Sequence, residues 1–385
     1  IKFSLKNILI NQYYILVLYF FNKSLIKMNI KQDHKKIDSS DMYSVLKNLP
    51  IQFDEATKSY KNFKGYADTK SVSSDVVIFG MGGSAIAGEI LKDFFQFSEF
   101  KTKIKIHISR EYELPAFVDD KAYLIFSSYS GETEETLSAF EKAQKLSKRI
   151  VCISSGGKLI ELAKNSKYKF LQIPTGLQPR CAIGYSLTAL FYTIINSPLV
   201  NKTEAKKIIT SFNKAIEKLR EISEKLSILD DSNIAYNIAK IFQNSCPLII
   251  SSSKFNAINL RWRGQIQENA KQLSFGVTLP EMNHNFINGL ENPKYIVNKI
   301  AVINFISKLD NDRIAKRFTA NSALLKDKVD SITDISHSSE EYFSAMLELL
   351  CLGDWISYFI AIIRGIDPTP IPMISKLKEI MAEAN

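Results

Sequence analysis

The sequence predicts two α/β domains in tandem, each built on a doubly wound parallel sheet. Two observations carry that expectation. Short β-branched runs alternate with helical stretches along most of the chain. The 385 residues, 45% of them apolar, also exceed one typical domain and suit two of ~150–200 residues. The expected division is 28–200 and 231–385, joined by a helical connector at 201–230.

Taken in order, residues 40–64 read as an introductory helical segment. Residues 76–79, 104–108, 123–126, 150–154 and 170–173 are five strand candidates, most of them separated by helices. An apolar helix at 185–196 closes this domain, and the charged amphipathic stretch 203–229 suits a connector. The second half restarts with a strand at 247–253, followed by a helix-like run. Further strands are expected at 298–305 and 332–335, then a long apolar helix at 340–364. The halves share strand–loop–helix order without a residue-level repeat.

Residues 1–27 stand apart. They begin without Met and hold four lysines and no acid. Their apolar stretch 13–21 is shorter than the ~20 residues of a membrane-spanning helix. No small-residue cleavage site follows it. Met28 reads as the native start, with translated upstream sequence before it. Without those lysines the formal charge drops from +10 to +6.

The remaining basic excess is scattered, with no basic run interleaved with aromatics. It suits mild attraction for anionic substrates and argues against nucleic-acid binding or a membrane. Cys152, Cys181, Cys246 and Cys351 are widely spaced with no CxxC. They read as reduced thiols of a cytoplasmic protein, not as disulfides or a metal site.

Two loops look built for a phosphate monoester. The strand 75–79 runs into GMGGSAIAG at 80–88, where glycines let the backbone approach an anion at a helix N-terminus. Alone, Gly80-x-Gly82-x-x-Ala85 also passes as a loose dinucleotide fingerprint. The second loop favours phosphate. After the strand 122–126 comes SSYSGETEET, whose Ser128, Ser130 and Thr133 hydroxyls open a helix and can donate to phosphate oxygens. Two such loops at the ends of one parallel sheet converge on a single site. The second half has no comparable loop, so one phosphate site per chain is expected.

The stretch 261–288 carries the reactive pair. Its first half reads as a helix presenting Glu268. Its second half leads past Pro280 to Asn-His-Asn, with His284 on a loop. One group to move a carbon-bound proton and one to move an oxygen-bound proton are what sugar isomerisation needs. Alone, the pair also reads as a surface Glu and a turn His.

GMGGSAIAG, SYSGETEET, PRCAIG from Pro179, QENAK from Gln267 and PEMNHN from Pro280 occur in this order. From about Met28 onward the chain resembles the bifunctional phosphoglucose/phosphomannose isomerases, built from two sugar-isomerase (SIS) domains. The resemblance implies SIS-type, flavodoxin-like sheets. It also implies interconversion of glucose 6-phosphate, and of mannose 6-phosphate, with fructose 6-phosphate, without a cofactor or metal. Gly83, Ser84, Ser128, Ser130 and Thr133 would bind the phosphate. Glu268 would move a proton between C1 and C2 through an enediolate. Arg180 would stabilise that anion, and His284 would open the sugar ring. The resemblance further implies a homodimer in which His284 reaches the partner's site, and a C-terminal lysine, Lys378 or Lys376, that takes part. Three positions depart from the family pattern: Glu132 in place of Asn, Phe286 in place of an acid, and Cys181 in place of Ala or Phe. A non-catalytic sugar-phosphate-binding SIS protein or a different phosphosugar isomerase remains the alternative. A dehydrogenase would need an acid closing the second strand, where Ser109-Arg110-Glu111 is ambiguous.

Overall fold

The computed structural model describes residues 30–65 and 73–383. The expectations for residues 1–27 lie outside them. The first sheet joins β1 (Asp75–Phe79), β2 (Lys105–Ser109), β3 (Tyr123–Ser127), β4 (Ile150–Ser154) and β5 (Lys169–Gln172). Their order is β2-β1-β3-β4-β5, all parallel, with Val76 opposite both Ile106 and Tyr123. The second sheet joins β6 (Cys246–Ser252), β7 (Phe275–Leu279), β8 (Ile300–Ile306) and β9 (Ser331–Ser336), in the order β7-β6-β8-β9 and again all parallel. Strand positions in the two sheets therefore correspond one to one up to the fourth. The chain repeats a topology that its residues do not repeat.

These strands read as unbroken apolar runs because both faces are covered. Side chains alternate along β1: Val76 and Ile78 face a central helical layer, while Val77 and Phe79 face an outer cluster with Leu124, Phe126 and Phe140. In β6 and β8, Ile249 and Ile303 join the same central layer, and Leu248, Ile250 and Val302 face their own outer cluster. One helical layer thus serves the inner faces of both sheets. Its middle is the helix Tyr342–Ile363, nearly all of it buried. This helix is long and apolar enough to cross a membrane, but 94% of its apolar window is buried inside the protein.

One strand was not expected. FGVTL of β7 lies at a sheet edge and is only partly buried, so it lacks the apolar run that marks the central strands. The side chain of Asn259 secures it from the neighbouring helix, donating to Ile249 O, Val277 O and Ser251 Oγ.

Candidate active site

The site grows from the crossing point of the first sheet, where β1 has β2 on one side and β3 on the other. In open parallel sheets the crevice beyond the strand ends at this point is the natural ligand site. After β1 the chain enters the helix Gly82–Phe97, and after β3 the helix Glu134–Leu146. Neither N-cap residue, Met81 or Thr133, caps its helix with its own side chain, so both helices present main-chain N–H groups and the positive ends of their dipoles.

The hydroxyls gather between them. Ser128 Oγ and Thr133 Oγ1 are 2.8 Å apart, and Ser128 Oγ also accepts from Gly131 N at 3.1 Å. Ser84 Oγ accepts from Tyr129 N at 3.0 Å, which fastens one loop to the other. Ser130 is exposed, its Oγ accepting from Glu132 N. The Glu132 carboxylate turns away, accepting the Lys158 amide at 2.7 Å beside the start of the helix Gly157–Asn165. The departure from Asn at this position therefore serves the neighbouring helix.

Arg180 closes the site from the short 3-10 turn Pro179–Cys181. Gly83 has to be glycine here, since a Cβ would lie 2.7 Å from Arg180 N and 2.8 Å from the Pro179 carbonyl carbon. The side chain is 2% exposed, and four of its five N–H donors are engaged by its surroundings. Nε donates to Asn269 Oδ1 at 2.7 Å, and Nη2 donates to the carbonyls of Pro368 and Thr369 at 2.9 and 2.8 Å. Nη1 donates to Glu268 Oε2 at 3.2 Å. Glu268 stands in the last turn of the helix Asn256–Asn269, with its side chain 28% exposed. Glu268, Arg180, Gly82 and Gly83 line one cavity of about 140 Å³.

Buried groups hold the wall of that cavity. The Arg261 guanidinium donates to both Asp354 oxygens, at 2.9 and 2.7 Å, and to Arg180 O at 3.1 Å. Gln265 adds a third donor to Asp354. Burial pushes the Asp354 carboxyl up, while Arg261 pulls it down. On the same helix Trp262 presses against Gly353, where a Cβ would lie 2.2 Å from the indole nitrogen. Gly costs about 0.5–1 kcal/mol inside a helix relative to Ala. Here it lets the Glu268 helix pack tightly on the central one.

The structure brings Gly83, Ser84, Ser128, Thr133, Arg180 and Glu268 to the end of one sheet, with Ser130 at its exposed rim. His284 is not among them. It ends the 3-10 turn Glu281–His284, is exposed, and does not line its own chain's cavity. Lys376 and Lys378 lie on the helix Pro372–Glu383, none of whose residues is buried. Lys376 pairs with Glu379 at 3.5 Å. Phe286 is exposed. Cys181 is buried, and burial pushes its thiol up to about 11, which leaves it unreactive near neutral pH.

Two cations escaped sequence reasoning. Arg110 follows β2, pairs with Glu89 at 2.7 Å and lines the cavity. A cation thus stands at this strand end, and Glu111 is exposed. Lys271, visible in the sequence only as the last letter of QENAK, donates to the carbonyls of Asn269, Asp367 and Pro368.

The corresponding crossing point of the second sheet is already filled. The helix after β6 receives the Asp93 carboxylate from the other half of the chain, 2.7 Å from Ala257 N. Burial pushes Asp93 up to about 7, and the Ala257 amide pulls it down.

Known proteins agree with this architecture. The family model for the bacterial phospho-glucose isomerase C-terminal SIS domain matches residues 231–381. The bifunctional phosphoglucose/phosphomannose isomerase of Caldicellulosiruptor bescii is 36% identical over 343 residues, covering 89% of this chain and 99% of that protein. The enzyme of the same name from Thermoplasma volcanium is 34% identical over 334 residues, covering 86% of this chain and all of its own. Among solved structures, a hypothetical protein of Thermus thermophilus superposes with a TM-score of 0.68 over 92% of this chain and 94% of that one, at 12% identity, a likeness of fold alone. By these matches the chain belongs to the bifunctional phosphoglucose/phosphomannose isomerase family.

Proposed function

We propose that the protein is an aldose–ketose isomerase that interconverts glucose 6-phosphate, and mannose 6-phosphate, with fructose 6-phosphate. One observation carries the reading. A carboxylate and a buried guanidinium, Glu268 and Arg180, share a small cavity with the glycine turn of an uncapped helix N-terminus. The dianionic phosphate suits the two helix N-termini and the hydroxyls of Ser84, Ser128, Ser130 and Thr133. With the phosphate held there, C1 and C2 face Glu268. Its carboxylate takes the proton from one carbon and returns it to the other. The electron pair left behind forms an enediolate, and Arg180, fixed by its bonds to Asn269, Pro368 and Thr369, meets that charge without rearranging.

Hexose phosphates arrive as rings, and opening them moves protons between oxygens. His284 is assigned to this step, supplied by a second copy of the chain in a homodimer. Its exposure outside its own cavity supports that assignment. So does the helix Pro372–Glu383, whose Met373, Leu377 and Ile380 form an exposed apolar stripe that a second subunit would cover. Lys378 or Lys376 would join the site from the same helix. Four free cysteines, three of them buried, support a reducing, cytoplasmic setting.

The test is formation of fructose 6-phosphate from each aldose phosphate without added nucleotide. It is repeated with Glu268→Gln in deuterated water. The variant keeps the shape of the side chain and loses its basicity, so it should neither isomerise nor exchange substrate C–H protons. Exchange at the wild-type rate would assign the base elsewhere.

A further inference from the structure

The helix carrying Glu268 ends one residue later, at Asn269. Lys271 follows in the left-handed region, φ 50, where glycine is the usual occupant. This turn folds the side chain back, and its ammonium donates to Asn269 O at 3.1 Å, Asp367 O at 2.7 Å and Pro368 O at 3.1 Å. An ammonium has three protons, so three carbonyls use its full donor set. Pro368 O also accepts from Arg180 Nη2, and Arg180 Nη1 reaches Glu268. The Asp367 carboxylate is occupied elsewhere, accepting from Ser39 Oγ and from Thr369 N.

We infer that Lys271 is a positioning residue of the active site. Its ammonium splices the end of the Glu268 helix to residues 367–369, the segment that holds the Arg180 guanidinium in place beside Glu268. This rests on the isomerase reading. The splice reaches further than the two groups it orients, because residues 367–369 lead directly into the helix Pro372–Glu383. Neutral carbonyls hold the cation without cancelling its charge, so Lys271 also leaves net positive charge behind the enediolate.

Burial pulls the ammonium down to about 8, helped by the Arg180 guanidinium and opposed by Asp367 and Glu268, the charged groups around it. Loss of a proton would turn an amine lone pair toward one of the three carbonyls. The splice should therefore weaken as pH rises through about 8.

The experiment compares wild type, Lys271→Met and Lys271→Arg in steady-state kinetics across pH, with amide hydrogen exchange at Thr369. Met removes the donors. Its kcat should fall about 10- to 100-fold, the scale of a small displacement of reacting groups. KM should stay within about threefold, because phosphate binding is untouched. The Thr369 amide should exchange faster in this variant. Arg keeps the charge, so it should restore most of kcat and move the alkaline fall of kcat beyond about pH 10. Wild-type kcat and exchange in Lys271→Met overturn the inference. If that variant does not fold, Lys271→Arg decides: an alkaline limb left in its wild-type position overturns the splice. A wild-type chain inactive on both aldose phosphates sinks the isomerase reading alone, since the exchange at Thr369 still tests the splice.

Discussion

Replacing Arg180 with Lys tests how much of the site depends on one guanidinium. Arg180 makes four hydrogen bonds through three nitrogens, reaching Asn269, Glu268, Pro368 and Thr369. A lysine brings one nitrogen at the end of a longer apolar stem and cannot span that fork. Asn269 Oδ1 suffers most, since Asn269 is 0% exposed and loses its donor. An orphaned buried acceptor costs about 1–3 kcal/mol. Thr369 is only partly buried, and the buried Pro368 O keeps the Lys271 ammonium, so the total should be about 2–4 kcal/mol. At about 2–4 °C for each kcal/mol, melting should drop by roughly 5–15 °C. The catalytic loss is separate. Removing a fixed donor aimed at a developing anion costs about 10²–10³ in kcat. Thermal unfolding measures the first effect and initial rates of fructose 6-phosphate formation the second. An Arg180→Lys enzyme with kcat within fivefold of wild type would refute Arg180 as the group that meets the enediolate.

Three other outcomes follow from the geometry. Ser128→Ala should raise KM for the sugar phosphate by the roughly tenfold or more that a lost bond to a charged group is worth, about 1.5–3 kcal/mol; unchanged affinity would remove Ser128 from the phosphate site. Gly131→Ala should disrupt the same loop, because φ is +74 and the new Cβ would lie 2.0 Å from Gly156 O; circular dichroism melts and phosphate affinity should both fall, and an unaltered protein would contradict the packing. Asp93→Asn should be more stable than wild type at pH 8 and equal to it below about pH 4. The folded carboxyl keeps its proton up to about 7, whereas an unfolded one loses it near 3.9. Stability from Asp93 is thus present at low pH and lost as pH rises through that window, and urea midpoints at both pH values give the comparison.

The central strands were legible because burial on both faces writes them as continuous apolar runs: DVVIF and IVCIS have no competing period. Strand β7 was not, because an edge strand keeps polar and half-exposed positions and carries no such signature. In the candidate site, the glycine and serine loops were legible as strand-to-helix turns, because they put small or hydroxylic residues at fixed places near a helix start. The Arg261–Asp354 pair was not. Its members are 93 residues apart, and neither stands in a recognisable motif. Lys271 was visible as a letter, but that its backbone turns left-handed and folds the ammonium onto three carbonyls is a property of the folded chain alone. His284 shows a different limit: the motif is local, and the proposal assigns it to the cavity of a second copy.

Asp93 at the start of the helix Asn256–Asn269 gives the molecule an internal guest. Both sheets place a helix start, and so a berth for negative charge, at the same crossing point, and the second is met by a carboxyl group covalently carried in from the opposite half. The occupied berth cannot compete for substrate, so the proposed reading leaves the phosphate to the helix starts of the first sheet. The guest also makes the halves mutually dependent. Cut from its neighbour, the half containing β6 to β9 would expose an unfilled helix start together with the broad apolar flank that now lies on the shared central layer. The residue that silences the second berth thus also links the two halves, through the same helix that carries Glu268.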